Sequence, residues 1–400
     1  MKAISILGST GSIGRQTLDV VANLPERFRV VALAAGKNLD ELVGQIVRHR
    51  PQVVSVADAA LAAELRERLR AAAHEPLPEI QWGREGLLCV ATHPDVATVV
   101  SAAVGVVGLE ATYAAVRAGK QVALSNKEVL VAAGELVMAA AAESGVELLP
   151  VDSEHNAIHQ CLRAGRPGEV RGLILTASGG PFRKTPLAQL ADATPEQALA
   201  HPNWRMGQRI TIDSATLVNK GFEVIEARWL FGVQPDQISV VIHPQSTIHS
   251  MVEHIDGSIL AQLGPTDMRM PIQYALTYPE RVASKQVRLD WSALRRLDFE
   301  RVSSRRFPCL DLAREALVQG GAQPCALNAA DEVAVAAFLE RRLSFPGIAR
   351  VIERVLDRMP RVKLALIEDV AAADGEARRL AQEEVLRASE RFAVAGTDRS

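Results

Sequence analysis

Cysteine pairs, long apolar runs and an excess of charge of either sign are all missing from this sequence. It has four cysteines, none in a CxxC pair: Cys89, Cys161, Cys309 and Cys325. Scattered cysteines are typical of a reducing compartment and argue against a disulfide framework or a zinc site. No uninterrupted apolar run approaches the ~20 residues that a membrane helix needs. Basic residues number 45 and acidic residues 47, so the charge gives no reason to expect nucleic acid or a membrane as a partner.

The amino terminus gives no sign of a signal peptide. The first residues, MKAISILG, contain an apolar stretch too short for a signal sequence, and a glycine turn follows it directly. We therefore expect a cytoplasmic protein. Its 400 residues exceed one ordinary domain of ~150 residues and predict two or three domains.

Short apolar runs alternate with helical patterns over residues 1–151, which predicts an α/β fold. The runs are AISIL, RVVALAA, QVVSVA, ATVVSAAV, QVALS and VELLPV. Alternating strands and helices form right-handed βαβ units, and these build a doubly wound parallel sheet with helices on both faces. The first domain is therefore predicted to be Rossmann-like.

The pattern changes after residue 151 and predicts two further domains, a linker and a tail. Residues 152–283 mix strand-like and helical segments, as in an α+β catalytic domain. Residues 284–306 are charged and irregular, which favours a surface linker. Residues 307–390 are predicted to form a C-terminal helical domain, and residues 391–400 a frayed tail.

The glycine-rich stretch GSTGSIG, residues 8–14, predicts a dinucleotide-binding turn. Its first glycine follows a predicted strand, and its last opens a predicted helix. In that setting the glycines let backbone N–H groups approach a pyrophosphate at the positive end of the helix dipole. A purely structural turn is the alternative, because glycine is common wherever φ is positive.

The end of the second predicted strand favours NADP over NAD. NAD sites usually carry an acidic residue there to bind the ribose 2′-hydroxyl, whereas this strand ends in Gly36, Lys37 and Asn38. A cation and an amide accommodate a 2′-phosphate and leave no carboxylate to repel it. The alternative is that Lys37 is an ordinary solvated lysine.

The segment VDSEHNAIH carries two carboxylates, Asp152 and Glu154, at the junction of the first two predicted domains. At a strand end, residues i and i+2 point to the same side, so both can reach one point in the crevice at the carboxyl edge of the sheet. Two oxygen ligands suit a hard divalent cation such as Mg²⁺ or Mn²⁺. An N-cap role for Asp152, in a helix that begins near Ser153, is the alternative.

A second group of polar residues lies in IDSATLVNKGFEVIEA. On a helix, Asn219, Lys220 and Glu223 fall at i, i+1 and i+4, which groups an amide, a cation and a carboxylate. Ser214 precedes them, and Ser178 begins an SGG turn after a predicted strand. Hydroxyls, an amide and a lysine are the donors that a phosphate needs. Taken singly, each is more often a cap or a solvated residue.

The polar segment HPNWRMG, residues 201–207, contains one large indole, that of Trp204. Active-site lids are often built from such loops, so we interpret this segment as a lid. The alternative is that Trp204 folds back onto its own domain.

In this order along the chain, a series of motifs resembles the 1-deoxy-D-xylulose 5-phosphate reductoisomerase family. The motifs are GSTGSIG, AGKN, SNKE, VDSEHNAIHQ, ASGGPF, HPNWRMG, DSATLVNKGFEVIEA and HPQSTIHSMVE. The resemblance extends from residue 1 to about residue 390. It implies an oxidoreductase and isomerase of non-mevalonate isoprenoid biosynthesis that uses NADPH and Mg²⁺ or Mn²⁺, with Co²⁺ as a further candidate.

The resemblance also implies roles for individual residues. Its NADPH contacts match Thr10, Gly11, Ser12, Ile13, Gly36, Lys37, Asn38, Asn126, Glu128 and Gly207. Its metal ligands match Asp152, Glu154 and Glu223. Its substrate contacts match Lys127, Ser153, Glu154, Ser178, His201, Ser214, Asn219, Lys220 and Glu223. Of these, Lys127 and the three carboxylates are expected to be catalytic.

The family's reaction rearranges a ketose phosphate and then reduces it to 2-C-methyl-D-erythritol 4-phosphate. We expect removal of the C4 hydroxyl proton, retro-aldol cleavage between C3 and C4, formation of the C2–C4 bond, and hydride transfer to the C3 aldehyde. The resemblance further implies a homodimer built on residues 240–262.

Two rival functions follow from the same glycine turn. An NADP-dependent semialdehyde dehydrogenase needs a nucleophilic cysteine, whereas Cys161, the cysteine nearest the proposed site, belongs to a predicted helix with no activating motif. A non-catalytic NADPH-sensing regulator needs the cofactor domain but not three carboxylates.

Overall fold

We describe a computed structural model of the chain over residues 1–73, 75–103, 105, 108–204, 206–286 and 288–397. The chain forms two compact units. The first unit comprises residues 1–129, 137–156 and 267–287, and the second comprises residues 130–136, 157–266 and those from 288 onwards. Residues 267–283, which the sequence grouped with the catalytic domain, thus fold with the first unit, as do the first residues of the predicted linker. Val287 of the predicted linker lies outside the described residues.

The strands, in chain order, are β1 (Lys2–Leu7), β2 (Phe28–Ala34), β3 (Val53–Val56), β4 (Glu79–Trp82), β5 (Thr98–Ser101), β6 (Gln121–Leu124), β7 (Leu148–Pro150), β8 (Val170–Ala177), β9 (Ile238–Ile242), β10 (Ile248–His254), β11 (Ile259–Leu263) and β12 (Glu300–Arg301).

The α-helices are α1 (Ser12–Asn23), α2 (Leu39–His49), α3 (Ala59–Ala71), α4 (Gly83–Thr92), α5 (Leu109–Arg117), α6 (Glu128–Ser144), α7 (Ser153–Leu162), α8 (Pro195–Ala198), α9 (Gln208–Thr216), α10 (Val218–Phe231), α11 (Arg269–Thr277), α12 (Pro308–Gln319), α13 (Gln323–Leu339), α14 (Phe345–Arg358) and α15 (Ile367–Thr397). No helix in this described part of the chain is both long and apolar enough to cross a membrane.

The first unit is built on a seven-stranded parallel sheet in the order β4-β3-β2-β1-β5-β6-β7. Strands such as β3 (VVSV) and β5 (TVVS) are buried along their whole length, as expected for a parallel sheet covered by helices on both faces. The predicted doubly wound fold is therefore confirmed. The strand order reverses between β1 and β5, and in such sheets ligands bind beyond the carboxyl ends of the strands at this point.

The sequence did not predict strand β4 (EIQW). Only Ile80 of this edge strand is buried, and the other three positions are polar or exposed. A strand at the edge of a sheet needs few apolar residues, so its pattern is weak.

The second unit contains a five-stranded mixed sheet in the order β11-β10-β8-β9-β12. Strand β8 is parallel to β9 and antiparallel to β10, and β10 pairs with β11 in an antiparallel hairpin. The short strand β12 comes from the predicted linker and pairs with β9. Part of the linker is therefore built into the sheet.

Helices α12 to α15 confirm the predicted helical region at the C-terminal end. Helix α15 extends to Thr397, into the segment that the sequence predicted as a tail, and residues 398–400 lie outside the described residues. The central helix α10 is buried on most of its surface, with Val218, Phe222 and Ile225 in the core. A buried helix of this kind holds its polar residues in fixed positions.

Candidate active site

The glycine turn after β1 has a backbone shape that only glycine fits. Gly8 has φ of +86°, and a Cβ there would lie 2.6 Å from the carbonyl oxygen of Ala102. A Cβ on Gly14 would lie 2.4 Å from the carbonyl oxygen of Gly8. The N–H groups of Gly8 and Ser9 both donate to the carbonyl of Ala34, at 2.9 and 2.8 Å. The turn is therefore held close to both neighbouring strands.

Helix α1 begins at Ser12, directly after the turn. Its N-cap residue is Gly11, which supplies no side-chain acceptor, and its first turn contains no acidic residue. Thr10 and Ile13 are half-buried, while Gly11 and Ser12 are exposed. The positive end of α1 therefore faces the carboxyl edge of the sheet, and the first turn of the helix places no carboxylate beside it.

The end of β2 combines an exposed cation with a structural cap. Gly36 and Lys37 are exposed. Asn38 is the N-cap of α2, where its Oδ1 accepts a hydrogen bond of 3.2 Å from the N–H of Glu41. Asn38 thus has a local structural role in addition to the predicted ligand contact.

Asn126 follows β6 and is almost fully buried. Its Nδ2 donates to the carbonyl of Gly105 at 2.8 Å, while its Oδ1 is buried and finds no hydrogen-bond partner in the described part of the chain. A buried amide oxygen of this kind is an acceptor that a bound ligand can satisfy. Glu128, two residues on, begins α6 and is half-buried.

The buried Lys127 and the half-buried Asp152 form an ion pair in the first unit. The Lys127 Nζ lies 3.0 Å from Asp152 Oδ2, and the Nδ1 of the fully buried His155 lies 3.4 Å from the same oxygen. Burial opposes ionisation of Asp152, but the Lys127 ammonium and the His155 ring hold its pKa well below the usual value. Asp152 is therefore a carboxylate at neutral pH. His155 was not predicted from the sequence, although its i, i+3 spacing from Asp152, which directly precedes α7, is a signal.

Glu154 stands in the first turn of α7, not on an extended strand. Because the helix already begins at Ser153, the expected strand-end alternation of residues 152 and 154 was wrong. Carboxylate oxygens of Asp152 and Glu154 nevertheless lie within 4.8 Å of each other. The Ser153 hydroxyl donates to Glu154 Oε2 at 2.5 Å. The strand-to-helix junction, with Asp152 directly before the helix, brings the two acids together.

The second unit confirms the predicted grouping on α10. Asn219 Nδ2 donates to Glu223 Oε1 at 2.7 Å, and Lys220 Nζ lies 2.5 Å from Glu223 Oε2. Glu223 and Lys220 are both buried. The sequence predicted one continuous helix here, but Leu217 adopts a left-handed conformation with φ of +59° and separates α9 from α10. The break puts Asn219 and Lys220 in the first turn of α10, where the helix dipole favours anions.

His201 and Ser178 form a hydrogen-bonded pair in the same unit. The N–H groups of Asn203 and Trp204 donate to His201 Nδ1 at 3.2 and 3.0 Å. Nδ1 is therefore an acceptor, and Nε2 carries the proton that points to Ser178 Oγ at 2.9 Å. Burial lowers the pKa of His201, so the ring is neutral and donates to the hydroxyl.

The SGG turn lies against the end of α9. Gly180 has φ of +64°, and a Cβ there would lie 3.0 Å from the carbonyl oxygen of Ser214. This close approach brings the SGG turn next to Ser214. Ser178 and Gly180 line a cavity of about 770 Å³, which Lys184 and Pro244 also line. Its volume is in the range of small-molecule sites.

Residues 201–204 of the predicted lid contact their own unit. Asn203 Nδ2 donates to the carbonyl of Pro244 at 2.6 Å and to Ser246 Oγ at 3.0 Å. The Trp204 ring lies 6.3 Å from the ring of His249 on β10. Arg205 lies outside the described residues, and Gly207 is the exposed N-cap of α9. The contacts of Asn203 are ones that sequence reasoning missed, since nothing local in the sequence predicts them.

The comparisons with known proteins point to one family. The model described as 1-deoxy-D-xylulose 5-phosphate reductoisomerase matches residues 4–134. The C-terminal domain models of the same reductoisomerase match residues 148–231 and 263–380. Together they account for most of the chain.

Individual relatives agree over nearly the full length. The chain is 55% identical to the 1-deoxy-D-xylulose 5-phosphate reductoisomerase of Symbiobacterium thermophilum over 386 residues, which cover 96% of this chain and 99% of that one. It is 53% identical to that of Solibacter usitatus over 388 residues, covering 96% and 97%.

Solved structures show the same similarity. A DOX-P reductoisomerase in complex with NADPH, fosmidomycin and magnesium is 40% identical, with a TM-score of 0.91 over 96% of this chain and 98% of that one. The Zymomonas mobilis enzyme in complex with NADPH is 44% identical, with a TM-score of 0.90 over 96% and 99%.

Proposed function

Because the chain belongs to the 1-deoxy-D-xylulose 5-phosphate reductoisomerase family, we propose that it converts 1-deoxy-D-xylulose 5-phosphate to 2-C-methyl-D-erythritol 4-phosphate. The reaction uses NADPH and a divalent cation, as named for the solved relatives with NADPH and magnesium. It is a step of non-mevalonate isoprenoid biosynthesis.

The first unit binds NADPH at the switch point of its sheet. Backbone N–H groups at the start of α1 receive the pyrophosphate, and the exposed ammonium of Lys37 receives the 2′-phosphate. The buried Oδ1 of Asn126 accepts a hydrogen bond from the cofactor. The residues proposed to contact it are Thr10, Gly11, Ser12, Ile13, Gly36, Lys37, Asn38, Asn126, Glu128 and Gly207. NADPH supplies the hydride for the reduction.

Asp152, Glu154 and Glu223 hold the divalent cation. The close approach of the Asp152 and Glu154 oxygens and the full burial of the Glu223 carboxylate fit a hard cation that takes oxygen ligands. Mg²⁺ and Mn²⁺ suit this donor set, and Co²⁺ is a further candidate. When bound, such a cation polarises neighbouring carbonyl and hydroxyl oxygens as a Lewis acid.

The second unit binds the phosphate of the substrate. Ser178, Ser214 and Asn219 offer uncharged donors, and Lys220 offers the charge. Together these four residues form a phosphate clamp. Beside Ser178, His201 donates through Nε2, and Ser153 is the contact from the first unit. The clamp retains the phosphorylated fragment after C3–C4 cleavage, so that it can recombine through the C2–C4 bond.

Lys127 stabilises negative charge that develops on the substrate oxygens. Its ammonium is fixed by the 3.0 Å contact with Asp152, so it needs little reorganisation when charge appears. The observation that carries the whole proposal is this pairing of carboxylates with buried lysines, Asp152 with Lys127 and Glu223 with Lys220.

The rival dehydrogenase is not favoured, because the matching family models and the relatives above are reductoisomerases. Burial raises the pKa of Cys325 to about 12 and raises that of Cys309 further above its usual value. Thiols of this kind stay protonated and are poor nucleophiles.

One assay tests the proposal. Wild-type protein with 1-deoxy-D-xylulose 5-phosphate, NADPH and Mg²⁺ is expected to consume NADPH and to form 2-C-methyl-D-erythritol 4-phosphate, identified by mass spectrometry. EDTA is expected to stop turnover until Mg²⁺ or Mn²⁺ is returned. Fosmidomycin, which is bound in solved relatives, is expected to inhibit. NADPH binding without product would favour the regulator.

A substitution tests the cation ligand. Glu223→Gln is expected to abolish turnover while the NADPH titration stays unchanged, because the cofactor contacts lie elsewhere. Glu196→Gln is the matched control, since Glu196 is an exposed partner of Arg341 and its loss leaves turnover intact. Loss of NADPH binding by folded Glu223→Gln would show that the residue is misplaced in the mechanism.

The protein forms a homodimer through the edge of the second sheet. Strand β11 is the edge strand, and its Ile259 and Leu260 are exposed at 52% and 37%. Exposed apolar residues on an edge strand are suited to pairing with a second copy. Light scattering after chromatography is expected to give twice the chain mass, and Ile259→Asp with Leu260→Asp to give the monomer.

The cytoplasm is the compartment that fits the cysteines. None of the four forms a disulfide bond in the described part of the chain, as in a reducing environment. Fractionation of cells that express a tagged copy tests this placement.

A further inference from the structure

Arg209 ties helix α9 to helix α13. The Nη1 of Arg209 lies 2.7 Å from Glu332 Oε1, and its Nη2 lies 2.8 Å from Asn328 Oδ1 and 3.5 Å from Asp331 Oδ2. One guanidinium in the first turn of α9 therefore contacts three side chains on one face of α13.

The acceptors of Arg209 are themselves fixed. Asn328 and Asp331 are fully buried. On its other side Glu332 pairs with Arg378 of α15, which also pairs with Asp374 at 2.6 Å. A network of this kind leaves the Arg209 guanidinium little freedom, because two of its acceptors are fully buried and the third, Glu332, is held by α15.

Helix α9 carries Ser214, one of the proposed phosphate donors. Arg209 Nε lies 3.6 Å from Asp213 Oδ2, and Asp213 directly precedes Ser214. The chain then turns at Leu217 into the first turn of α10, which holds Asn219 and Lys220. A shift of α9 along its axis would therefore move Ser214 and the start of α10, which holds Asn219 and Lys220.

A purely stabilising role is the simpler explanation, but it fits poorly. Buried ion pairs often add little net stability, because their desolvation offsets their attraction. A planar guanidinium with several fixed acceptors instead holds the helix that carries it in a defined position.

We propose that Arg209 is a positioning residue for phosphate binding, through which the C-terminal helices α13 and α15 set the place of Ser214 and of the start of α10. This inference rests on the proposed function. It gives the C-terminal helices a role in catalysis, although none of their residues is among the proposed substrate contacts.

Steady-state kinetics of Arg209→Met test the inference. KM for 1-deoxy-D-xylulose 5-phosphate is expected to rise at least tenfold, with kcat reduced less than threefold and the Kd for NADPH within twofold of wild type. Arg209→Lys, which keeps the charge but not the planar guanidinium, is expected to restore part of the affinity. A merely structural role does not predict this split between KM and kcat.

The matched control is Arg358→Met. Arg358 joins α14 to α15 through Glu383 and Glu384, at 2.7 Å each, so the variant loses an arginine network in the same helices without touching α9. Its KM is expected to equal that of wild type. An equal rise in KM in Arg358→Met would overturn the inference.

A wild-type KM in folded Arg209→Met would also overturn it. If Arg209→Met does not fold, Arg209→Lys decides, and an unchanged KM in that variant overturns the inference. If wild type itself fails to consume NADPH with this substrate, the proposed function fails, and the inference fails with it.

Discussion

The Nε2 atom of His201 lies 2.9 Å from the Oγ of Ser178, and the opposite ring nitrogen accepts two backbone N–H groups from the residues that follow. The local fold therefore sets both the tautomer and the direction of the donor. A neutral ring that donates to a serine hydroxyl leaves that hydroxyl free to donate its own proton to a phosphate oxygen.

We expect this arrangement to fail at acidic pH. Burial places the pKa of His201 in the folded protein below its usual value. At a pH between the folded pKa and the usual histidine pKa, the unfolded chain therefore binds more protons than the folded one. The contribution of His201 to stability is therefore complete above about pH 6.5 and lost as the pH falls through the folded pKa. Urea unfolding of wild type and His201→Gln at several pH values checks this prediction.

The test compares the free energy of unfolding of wild type with that of His201→Gln at each pH. Their free energies of unfolding are expected to converge as the pH falls below the usual histidine value. An NMR titration of the ring, assigned by its loss in His201→Gln, gives the pKa directly. A pKa at or above the usual value would contradict the prediction.

The glycine turn gives a second prediction. Gly14→Ala places a Cβ within 2.4 Å of the Gly8 carbonyl oxygen, so the backbone donors at the start of α1 must move. Each lost hydrogen bond to a charged group is worth about 1.5–3 kcal/mol, and NADPH affinity is expected to fall about 10- to 100-fold. Fluorescence titration with NADPH measures the change.

Gly44→Ala is the control for this variant. Gly44 lies in α2, and a Cβ there meets no described atom within 4 Å. This substitution is expected to leave NADPH affinity unchanged and to stabilise the protein by about 0.5–1 kcal/mol, since alanine favours a helix interior. Equal NADPH affinity in both variants would remove the turn from the cofactor site.

The exposed Lys37 predicts the choice of cofactor. Lys37→Glu puts a carboxylate where the 2′-phosphate is expected, so kcat/KM for NADPH should fall about 10- to 100-fold, while kcat/KM for NADH should stay the same or rise. Lys37→Gln, which removes the charge without reversing it, should have a smaller effect. Equal use of the two cofactors by wild type would show that Lys37 is an ordinary surface residue.

The sequence could predict the sheet of the first unit because its strands are buried on both faces. Runs such as VVSV and TVVS satisfy that requirement on their own. It could not predict the break at Leu217. There the Thr216 hydroxyl accepts the N–H of Val218 at 3.3 Å, which is a local alternative to continuing the helix.

The predicted site was most complete where its residues are close in sequence. Asn219 and Glu223 are one helical turn apart, so helix geometry alone predicts their contact. The network of Arg209 could not be predicted in this way, since its partner Glu332 is 123 residues further along the chain. Only the packing of α9 on α13 brings the two together.

Ionisation of Asp331, in the Arg209 network, is expected to lower the free energy of unfolding as the pH rises, which is the opposite of the usual effect of a carboxyl group. Burial raises its pKa to about 6, although the Arg209 guanidinium acts in the opposite direction. Between the usual carboxyl value and about 6 the folded state therefore binds more protons than the unfolded state. The contribution of Asp331 becomes less favourable as the pH rises through this window and is constant above it.

Asp331→Asn removes the ionisable group and keeps the size of the side chain. Its stability relative to wild type is expected to increase by about 1–3 kcal/mol as the pH rises from about 4 to about 6.5, at about 1.4 kcal/mol for each unit of pKa shift. Hydrogen bonds that the amide gains or loses add an offset that does not vary with pH. Urea unfolding of both proteins across this range separates the two effects. A difference that stays constant, or that grows towards low pH, would show that the carboxyl group of Asp331 is ionised in the folded protein throughout.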